Sequence, residues 1–248
     1  YYVLSHHARD FVHHILYPLP SDKGKGVLCV PTIHGNILLG PDAQILSEED
    51  TSTTSQGLAR VREQLTQLVK EVPYGEVSRS YSGCRPCGND NDFYIEESAI
   101  HPGIYHLGCI DSPGLASAPA ISRYVLEAMH ISSWERKEEW IENESVIRCD
   151  EMEDDARKAL IQADPTYGHI ICRCESISEG EILAALRRPI PPRSIKEVKK
   201  RVRCGMGKCQ GGFCEVEVAK LLARESRLPL HEICYDGAGS ELGEEAKG

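Results

Sequence analysis

Cysteines near the C-terminal end are the residues of this 248-residue chain whose types and spacing best allow chemistry. They form two pairs, Cys172-x-Cys174 and Cys209-x4-Cys214. In an extended segment, residues at i and i+2 point to the same side, so the sulfurs of Cys172 and Cys174 are expected to face one metal ion. Four thiolates are the ligand set of a 2Fe–2S centre. The spacing therefore predicts an iron–sulfur cluster.

Glycine is concentrated around the second cysteine pair. The segment Cys204-Gly205-Met206-Gly207-Lys208-Cys209-Gln210-Gly211-Gly212-Phe213-Cys214 contains four glycines. Residues without a Cβ let the backbone approach an inorganic cluster and donate N–H bonds to its sulfides. A helix is expected after Gly212, with its positive N-terminal end pointing at the anionic cluster.

Two alternatives to the cluster remain open. Zinc is the first, although structural zinc sites usually use two C-x2-C-like hairpins and neither pair has that spacing. The second is a set of buried free cysteines without a metal, which are common in protein cores. Two tight pairs embedded in glycine favour the cluster over both.

The stretch from about Pro165 to Cys234 resembles the 2Fe–2S domain of the bacterioferritin-associated ferredoxin type. The resemblance is carried by Gly168-His169-Ile170-Ile171-Cys172-Arg173-Cys174-Glu175 and by the glycine segment described above. It is closest to the version appended to FAD-dependent oxidoreductases such as the anaerobic glycerol-3-phosphate dehydrogenase large subunits. The family pattern does not require cysteine at Cys204, which leaves a fifth thiol near the site. We expect Cys204 to be dispensable because it precedes the Gly205-Met206-Gly207 turn, whereas Cys209 and Cys214 flank the glycine segment that leads into the helix. The expected ligands are Cys172, Cys174, Cys209 and Cys214.

Local signals predict two helices in this domain. Ser178-x-x-Glu181 is a capping box with Ile177 and Ile182 at the staple positions, and Ser194-x-x-Glu197 repeats the capping signal. The second helix is basic. With a net charge of −10 and a pI near 5.5, however, the chain is a poor candidate for binding a nucleic-acid backbone. We therefore expect no nucleic-acid partner and a solvated basic face, formed by Lys196, Lys199, Lys200, Arg201 and Arg203.

Bulk composition limits the architecture and the compartment. A chain of 248 residues, 41% of them hydrophobic, is predicted to bury a core and to hold two domains. No apolar run approaches the length of a membrane-spanning helix, and no signal peptide is visible. The eleven cysteines are odd in number and are spaced for metal ligation rather than for a disulfide framework. We expect a cytoplasmic protein that reaches a membrane only through a partner.

The first 130 residues show an α+β pattern, a mostly antiparallel sheet with flanking helices. Apolar residues at helical spacing predict helices over about 55–71 and 115–130. Strand-like runs are separated by turn residues. The predicted strands are 15–19, 27–30, 37–39, 77–81, 93–95 and 104–107.

A strand, a glycine-containing turn and an apolar helix follow one another in Gly108-Cys109-Ile110-Asp111-Ser112-Pro113-Gly114-Leu115 and the residues after it. Free N–H groups and a positive helix end suit a polar or anionic ligand there. Three further segments belong to the same pattern: Pro31-Thr32-Ile33-His34-Gly35-Asn36, Ser82-Gly83-Cys84-Arg85-Pro86 and Asp92-Phe93-Tyr94-Ile95. Together, these segments and the turn resemble the C-terminal half of the D-amino-acid-oxidase-like flavoproteins. The nearest branches are the glycerol-3-phosphate and L-2-hydroxyglutarate dehydrogenases.

This second resemblance implies roles for two sets of residues. In the family, the arginine of the Gly-x-Arg-Pro segment lies near the substrate, which makes Arg85 the substrate-binding candidate. The turn covers the flavin ring, and its positions here are Gly108, Ser112, Pro113, Gly114 and Leu115. Without the resemblance, an ion-pair role for Arg85 is as well supported.

The superfamily holds the FAD pyrophosphate with a Gly-x-Gly-x-x-Gly unit, which this chain lacks. The chain also opens with Tyr1 inside a strand-like run and without Met. We therefore expect a fragment that is inactive alone, with FAD bound only by the full-length protein. The predicted domains are the C-terminal flavoprotein half (1–130), an acidic connector (131–165), the 2Fe–2S domain (166–235) and a flexible tail (236–248).

The two resemblances together imply an oxidoreductase that oxidises sn-glycerol 3-phosphate, with a hydride passing to the flavin and electrons leaving singly through the cluster. The expected partners are a small anionic substrate and an electron-acceptor protein or companion subunit. L-2-hydroxyglutarate or another 2-hydroxy or amino acid remains an alternative substrate. An iron–sulfur scaffold or redox docking module is the alternative from another functional class.

Other residues that could bind metals are given structural interpretations. Cys84-x2-Cys87 resembles half a zinc site, but no second pair is available, so a structural or surface role is predicted. Four histidines are interpreted as exposed residues in a strand context: His6, His7, His13 and His14. His34 lies in a predicted turn that faces the flavin in this interpretation.

Overall fold

The computed structural model describes residues 1–19, 26–88, 92–130, 138–139 and 146–243. The described chain mixes helices with small sheets in which every pair of named strands is antiparallel, so the predicted α+β class is confirmed. None of its helices in these ranges is long and apolar enough to cross a membrane.

The chain divides into two compact units. The larger comprises Tyr1–Gln44, Thr53–Tyr81 and Glu144–Gly248, and the smaller comprises Ile45–Ser52 and Ser82–Asn143. Residues near the N-terminus and the whole cysteine-rich region therefore belong to the same unit.

A four-stranded antiparallel sheet begins the larger unit, in the order β2-β3-β1-β4. One helix, α1 (Ser55–Leu65), covers it and buries Val61 and Leu65 in the same core as the strand residues. Thr54 caps α1 by accepting a hydrogen bond from the Gly57 N–H at 3.0 Å. The strands are β1 (Tyr2–Leu4), β2 (Leu28–Pro31), β3 (Ile37–Gly40) and β4 (Val77–Ser80).

Three local predictions for this sheet were wrong. The predicted strand 15–19 contributes only an isolated bridge from Leu16 to Cys29. The first histidines lie in a 3-10 turn, His6–Ala8, and the next two lie in bends, so none of the four is in a strand. Helix α1 stops at Leu65 rather than near residue 71 because the following N–H groups make i→i−3 bonds, which tighten the chain into turns.

The cysteine-rich region is a small helical domain around its own core. A two-stranded hairpin precedes three helices in this domain. Its core includes the fully buried Ile182, Val198 and Leu222. The helix α3 (Asp154–Ala163) leads into it and buries none of its residues. The elements are β7 (Ile170–Cys172), β8 (Ile177–Ser178), α4 (Glu179–Leu186), α5 (Ile195–Val202) and α6 (Glu215–Ser226).

The predicted capping signals are confirmed. Ser178 accepts from the Glu181 N–H, and the Glu181 carboxylate accepts from the Ser178 N–H at 2.8 Å, which completes the capping box. Ser194 likewise caps α5 by accepting from the Glu197 N–H. The Glu197 carboxylate, however, accepts from the Arg193 N–H at 2.6 Å, so the second box is shifted by one residue.

Part of the predicted connector and tail lies outside the described residues, namely 131–137, 140–145 and 244–248. In the described part of the connector, Cys149 is buried and its N–H donates to the Glu181 carboxylate at 3.2 Å. The connector is thereby joined to the first turn of α4.

The smaller unit contains an antiparallel hairpin and one helix. β5 (Tyr94–Glu97) pairs with β6 (Tyr105–Gly108), and α2 (Gly114–Ala128) follows after a short turn. The Tyr105 hydroxyl donates to the Ala128 carbonyl at 2.8 Å, which ties the hairpin to the end of the helix.

We expect Ser178→Ala to lower the free energy of unfolding by about 2 kcal/mol, because the lost hydroxyl caps α4 and contacts a buried carboxylate. Urea denaturation of the metal-free chain measures this. Ser226→Ala, at an exposed position in the last turn of α6, should change it by less than about 0.5 kcal/mol. Equal effects of the two variants would refute the capping role.

Candidate metal centre and substrate-side residues

Five cysteine sulfurs converge in the helical domain. Those of Cys172, Cys204 and Cys214 lie within 4.8 Å of one another, and all three residues are buried. The sulfurs of Cys174 and Cys209 lie 3.6 Å apart. Two thiolates on one tetrahedral metal with bonds of about 2.3 Å lie about 3.8 Å apart, so this second pair has the spacing of ligands that share an ion. The structure thus places the four expected ligands in two groups, and Cys204 lies in the group of Cys172 and Cys214.

The first pair is not arranged as the sequence spacing suggested. β7 ends at Cys172, and Cys174 lies in the turn 173–176. The hairpin pairs Cys172 with Ile177, so the chain must reverse within the residues between them, and Ser176 adopts a φ of 53° there. The extended-segment argument for placing both sulfurs on one side was therefore wrong. The turn directs Cys174 to Cys209 instead.

Two glycines of the cysteine loop allow contacts that a side chain would prevent. A Cβ on Gly207 would lie 2.3 Å from the Cβ of Cys174. A Cβ on Gly211, whose φ is 94°, would lie 1.9 Å from a carboxylate oxygen of Glu215. Close approach is therefore required at Gly207, while the positive φ favours glycine at Gly211.

The local environment favours the thiolate form of Cys172. The Cys204 thiol is the largest influence, and with the backbone N–H groups of Gly205 and Glu175 it outweighs burial and lowers the pKa of Cys172 to about 5. The thiolate is the form that binds metals. Helix α6 begins directly after Cys214, so its positive end lies at the thiols, as predicted.

One side chain of the predicted basic face is buried beside the loop. Lys199 is 9% exposed, so the expectation of a solvated face is wrong at this position. Burial, followed by the neighbouring Arg79, lowers its pKa. Its ammonium group lies 3.4 Å from the Gln210 carbonyl oxygen, and the Gln210 amide donates to the carbonyls of Met206 and Gly207. Gln210 thereby fixes the loop, and Lys199 supplies a cation near the thiols.

Arg203 connects the cysteine loop to the N-terminal sheet. It ends α5 with a φ of 65°, and its guanidinium lies 2.9 Å from the Glu175 carboxylate and 3.0 Å from the side-chain amide oxygen of Asn36. The Asn36 amide in turn donates to the Leu4 carbonyl at 3.0 Å. A second contact joins the Lys208 ammonium to the Glu76 carboxylate at 3.2 Å. Sequence reasoning missed the contacts of Arg203 with Asn36 and of Lys208 with Glu76, which join residues more than 130 positions apart.

A cavity of about 280 Å³ lies beside this connection. Its lining includes His34 in the β2–β3 turn, Arg148, Glu175 and Arg203. Burial first, and then the two arginines, lower the pKa of His34, so the neutral imidazole is favoured. The structure thus places His34 next to the cysteine domain.

The smaller unit brings Arg85 to the predicted flavin-covering turn. Its guanidinium lies 3.7 Å from the carboxylate of Asp111, a residue of that turn that sequence reasoning did not single out. Arg85 remains 56% exposed and is therefore accessible to a ligand. Gly108 ends β6 and Gly114 starts α2, while three residues of the turn are exposed: Ser112, Pro113 and Leu115.

Cys84 and Cys87 are exposed in the smaller unit. The Cys84 thiol donates to the Asp50 carbonyl at 3.4 Å. Among the described residues, neither belongs to a group of three potential metal ligands.

Two protein-family models match the chain. The model of FAD-dependent oxidoreductases matches residues 1–128, more than half of the chain. The chain belongs to this family. The model of BFD-like [2Fe–2S] binding domains matches residues 170–224, so the oxidoreductase also carries an iron–sulfur domain and both predicted resemblances are confirmed.

Curated relatives agree with this assignment. The chain is 41% identical to a glycerol 3-phosphate dehydrogenase of Caloramator mitchellensis over 246 residues, which are 98% of this chain and 51% of that protein. It is 30% identical to a glycerol 3-phosphate oxidase of Mycoplasma genitalium over 53% of this chain and 35% of the relative. It is 40% identical to an opine oxidase subunit of Rhizobium meliloti over 30% of this chain and 15% of the relative. The chain thus spans about half the length of the first relative, and no solved structure matches it significantly.

The residues present fit an iron–sulfur cluster. The site offers soft thiolate ligands, backbone N–H donors to Cys172, and a glycine where a Cβ would collide with Cys174. For the flavin, the fit is limited to the exposed turn before α2, because this chain has no Gly-x-Gly-x-x-Gly unit for the pyrophosphate.

We expect Gly207→Ala to reduce iron and acid-labile sulfide per chain several-fold after anaerobic reconstitution, because the added methyl group displaces Cys174. Gly237→Ala is the control, since a Cβ there meets nothing within 4 Å. Iron content, sulfide content and visible absorbance are the measurements. A Gly207→Ala protein with a full cluster would show that the close contact is not needed.

We expect Arg203→Met to lower the free energy of unfolding by about 2–3 kcal/mol, because it leaves the mostly buried Glu175 carboxylate without its cation. Amide exchange should also accelerate in both the 173–176 turn and β1, which Asn36 connects to Arg203. Arg201→Met, at an exposed position on α5, should leave the free energy of unfolding and the amide exchange rates of both regions unchanged. Faster exchange in the turn alone would show that the two regions are not coupled.

Proposed function

We propose that this chain is part of an FAD-dependent dehydrogenase that oxidises sn-glycerol 3-phosphate and passes electrons out through a 2Fe–2S cluster. The cluster is held by Cys172, Cys174, Cys209 and Cys214. The observation that carries the proposal is the attachment of the thiol loop to the flavoprotein sheet, through Arg203 and Asn36. An electron exit is thereby built onto the oxidoreductase fold, and the similarity to a glycerol 3-phosphate dehydrogenase supports the substrate.

The reaction removes two electrons and two protons from a secondary alcohol and gives dihydroxyacetone phosphate. When bound, the flavin accepts the hydride and the cluster carries electrons one at a time. The contribution of this chain is to bind, to orient and to exclude water. Arg85 binds the substrate phosphate, since a guanidinium recognises this group through paired charge-assisted hydrogen bonds. Asp111 orients Arg85, and the turn from Gly108 to Leu115 covers the flavin ring.

A companion subunit or acceptor protein receives the electrons in this proposal. One relative is named as a subunit of an oxidase, which supports an assembly of several chains. All eleven cysteines are free in the structure, and this agrees with a reducing compartment such as the cytoplasm.

We expect glycerol 3-phosphate to bleach the flavin under anaerobic conditions when this chain is joined to a dinucleotide-binding half that holds FAD. Arg85→Met should raise the KM for glycerol 3-phosphate at least about tenfold, since charge-assisted hydrogen bonds of about 1.5–3 kcal/mol are lost. Arg123→Met, at an exposed position on α2, is the matched control and should leave the KM unchanged.

Other outcomes would replace the proposal. Bleaching by L-2-hydroxyglutarate but not by glycerol 3-phosphate would assign a different substrate. Transfer of the cluster to apo-ferredoxin, with no flavin reduction by either compound, would identify a scaffold or docking module.

A further inference from the structure

Cys204 is a fifth thiol at a site that needs four ligands. Its residue is 4% exposed, and its sulfur lies within 4.8 Å of those of Cys172 and Cys214. We propose that Cys204 is a reserve ligand of the cluster, able to replace either of these two cysteines when one is lost. The inference rests on the proposed cluster and goes beyond it, because it gives the fifth thiol a function.

The backbone holds the Cys204 thiol in place. The residues on either side, Arg203 and Gly205, have φ values of 65° and 86°, so the chain turns sharply at this position. Arg203 is itself fixed by Glu175 and Asn36. The thiol is therefore presented to the site by the same contacts that anchor the loop.

The reserve function is expected only for the ligands whose sulfurs lie in the same group as that of Cys204. The three-sulfur group contains Cys204, Cys172 and Cys214, whereas Cys174 and Cys209 form the separate pair. The Cys204 sulfur already lies within 4.8 Å of the two sulfurs that it would replace. A replacement of Cys174 or Cys209 would require Cys204 to leave this group, so no rescue is expected there.

The exchange is a substitution at iron without a redox change. When Cys214 is replaced by Ser, the Fe–S bond to the Cys204 sulfur forms and any Fe–O bond to the serine breaks. The Cys204 proton leaves to solvent, or to the serine oxygen where that had been bound. Iron keeps its oxidation state. Thiolate is the softer ligand and is preferred by iron–sulfur clusters, which drives the exchange.

If Cys172, Cys174, Cys209 and Cys214 were the only thiols able to bind, serine at any of the four would remove the cluster to the same extent. A reserve ligand at Cys204 predicts unequal losses instead. The test uses the full chain, reconstituted anaerobically with iron and sulfide. Cys172→Ser and Cys214→Ser should each retain most of the wild-type iron and sulfide, with a shifted electron paramagnetic resonance spectrum after reduction. Adding Cys204→Ser to either of these single variants should lower the iron content and the sulfide content several-fold. Cys209→Ser should lose the cluster whether or not Cys204 is present.

A second measurement uses variants with all four expected ligands intact. Under a chelator challenge, Cys204→Ser should lose its cluster several-fold faster than wild type, because a detached iron has no spare thiol to bind. Cys234→Ser, in the same domain but outside the sulfur group, should lose its cluster at the wild-type rate.

The outcomes separate this inference from the proposed function. Equal iron in Cys214→Ser and in the Cys214→Ser/Cys204→Ser double variant, together with an unchanged chelation rate for Cys204→Ser, would overturn the reserve ligand while the cluster stands. Wild-type chain that takes up no iron or sulfide would overturn both. Failure of glycerol 3-phosphate to reduce the flavin would leave the reserve ligand standing, since these readouts involve only the cluster.

Discussion

The contact of one guanidinium with two distant groups is the interaction on which the larger unit depends. Arg203 joins Glu175, which follows Cys174 in the hairpin turn, to Asn36, whose amide holds the Leu4 carbonyl in the N-terminal sheet. Linked domains move relative to one another by default unless a well-packed interface prevents it. Because Arg203 also begins the cysteine loop, the same residue shapes the site and fixes it to the sheet. The iron–sulfur domain is therefore part of the oxidoreductase fold rather than a tethered appendage.

The cysteine site combines two requirements that oppose each other. Thiolates must be buried and close together to share a cluster, yet burial and mutual repulsion both disfavour their charge. At Cys172 the structure answers with the Cys204 thiol and with backbone N–H donors, which lower the pKa of Cys172, whereas burial raises the pKa of Cys174 and Cys214. Glycine is needed for the packing of this site as well, because a Cβ on Gly207 would lie 2.3 Å from the Cβ of Cys174. The residues between the cysteines of the loop are therefore determined by packing as well as by the number of ligands.

Features encoded by a few adjacent residues could be predicted from the sequence, whereas those set by distant contacts could not. The caps at Ser178 and Ser194 depend on residues three positions apart and were predicted correctly. The pairing of Cys174 with Cys209 was not predicted, because the turn after β7 overrides the two-residue period of a strand. The contact between Arg203 and Asn36 spans 167 positions, and no local pattern marks it. In each failure, a tertiary contact or a tight turn outweighed local propensity.

The attachment has a physical consequence for electron transfer. A mobile domain would have to find its donor by diffusion, and only a fraction of its orientations would be productive. Here Arg203 and Lys208 hold the loop on the sheet at two points, to Asn36 and to Glu76. Two separated contacts oppose rotation as well as translation of the loop relative to the β2–β3 turn. In the proposed function, a cluster held in this way would keep its place on the sheet between turnovers, whereas a flexible connection would leave it to be repositioned each time.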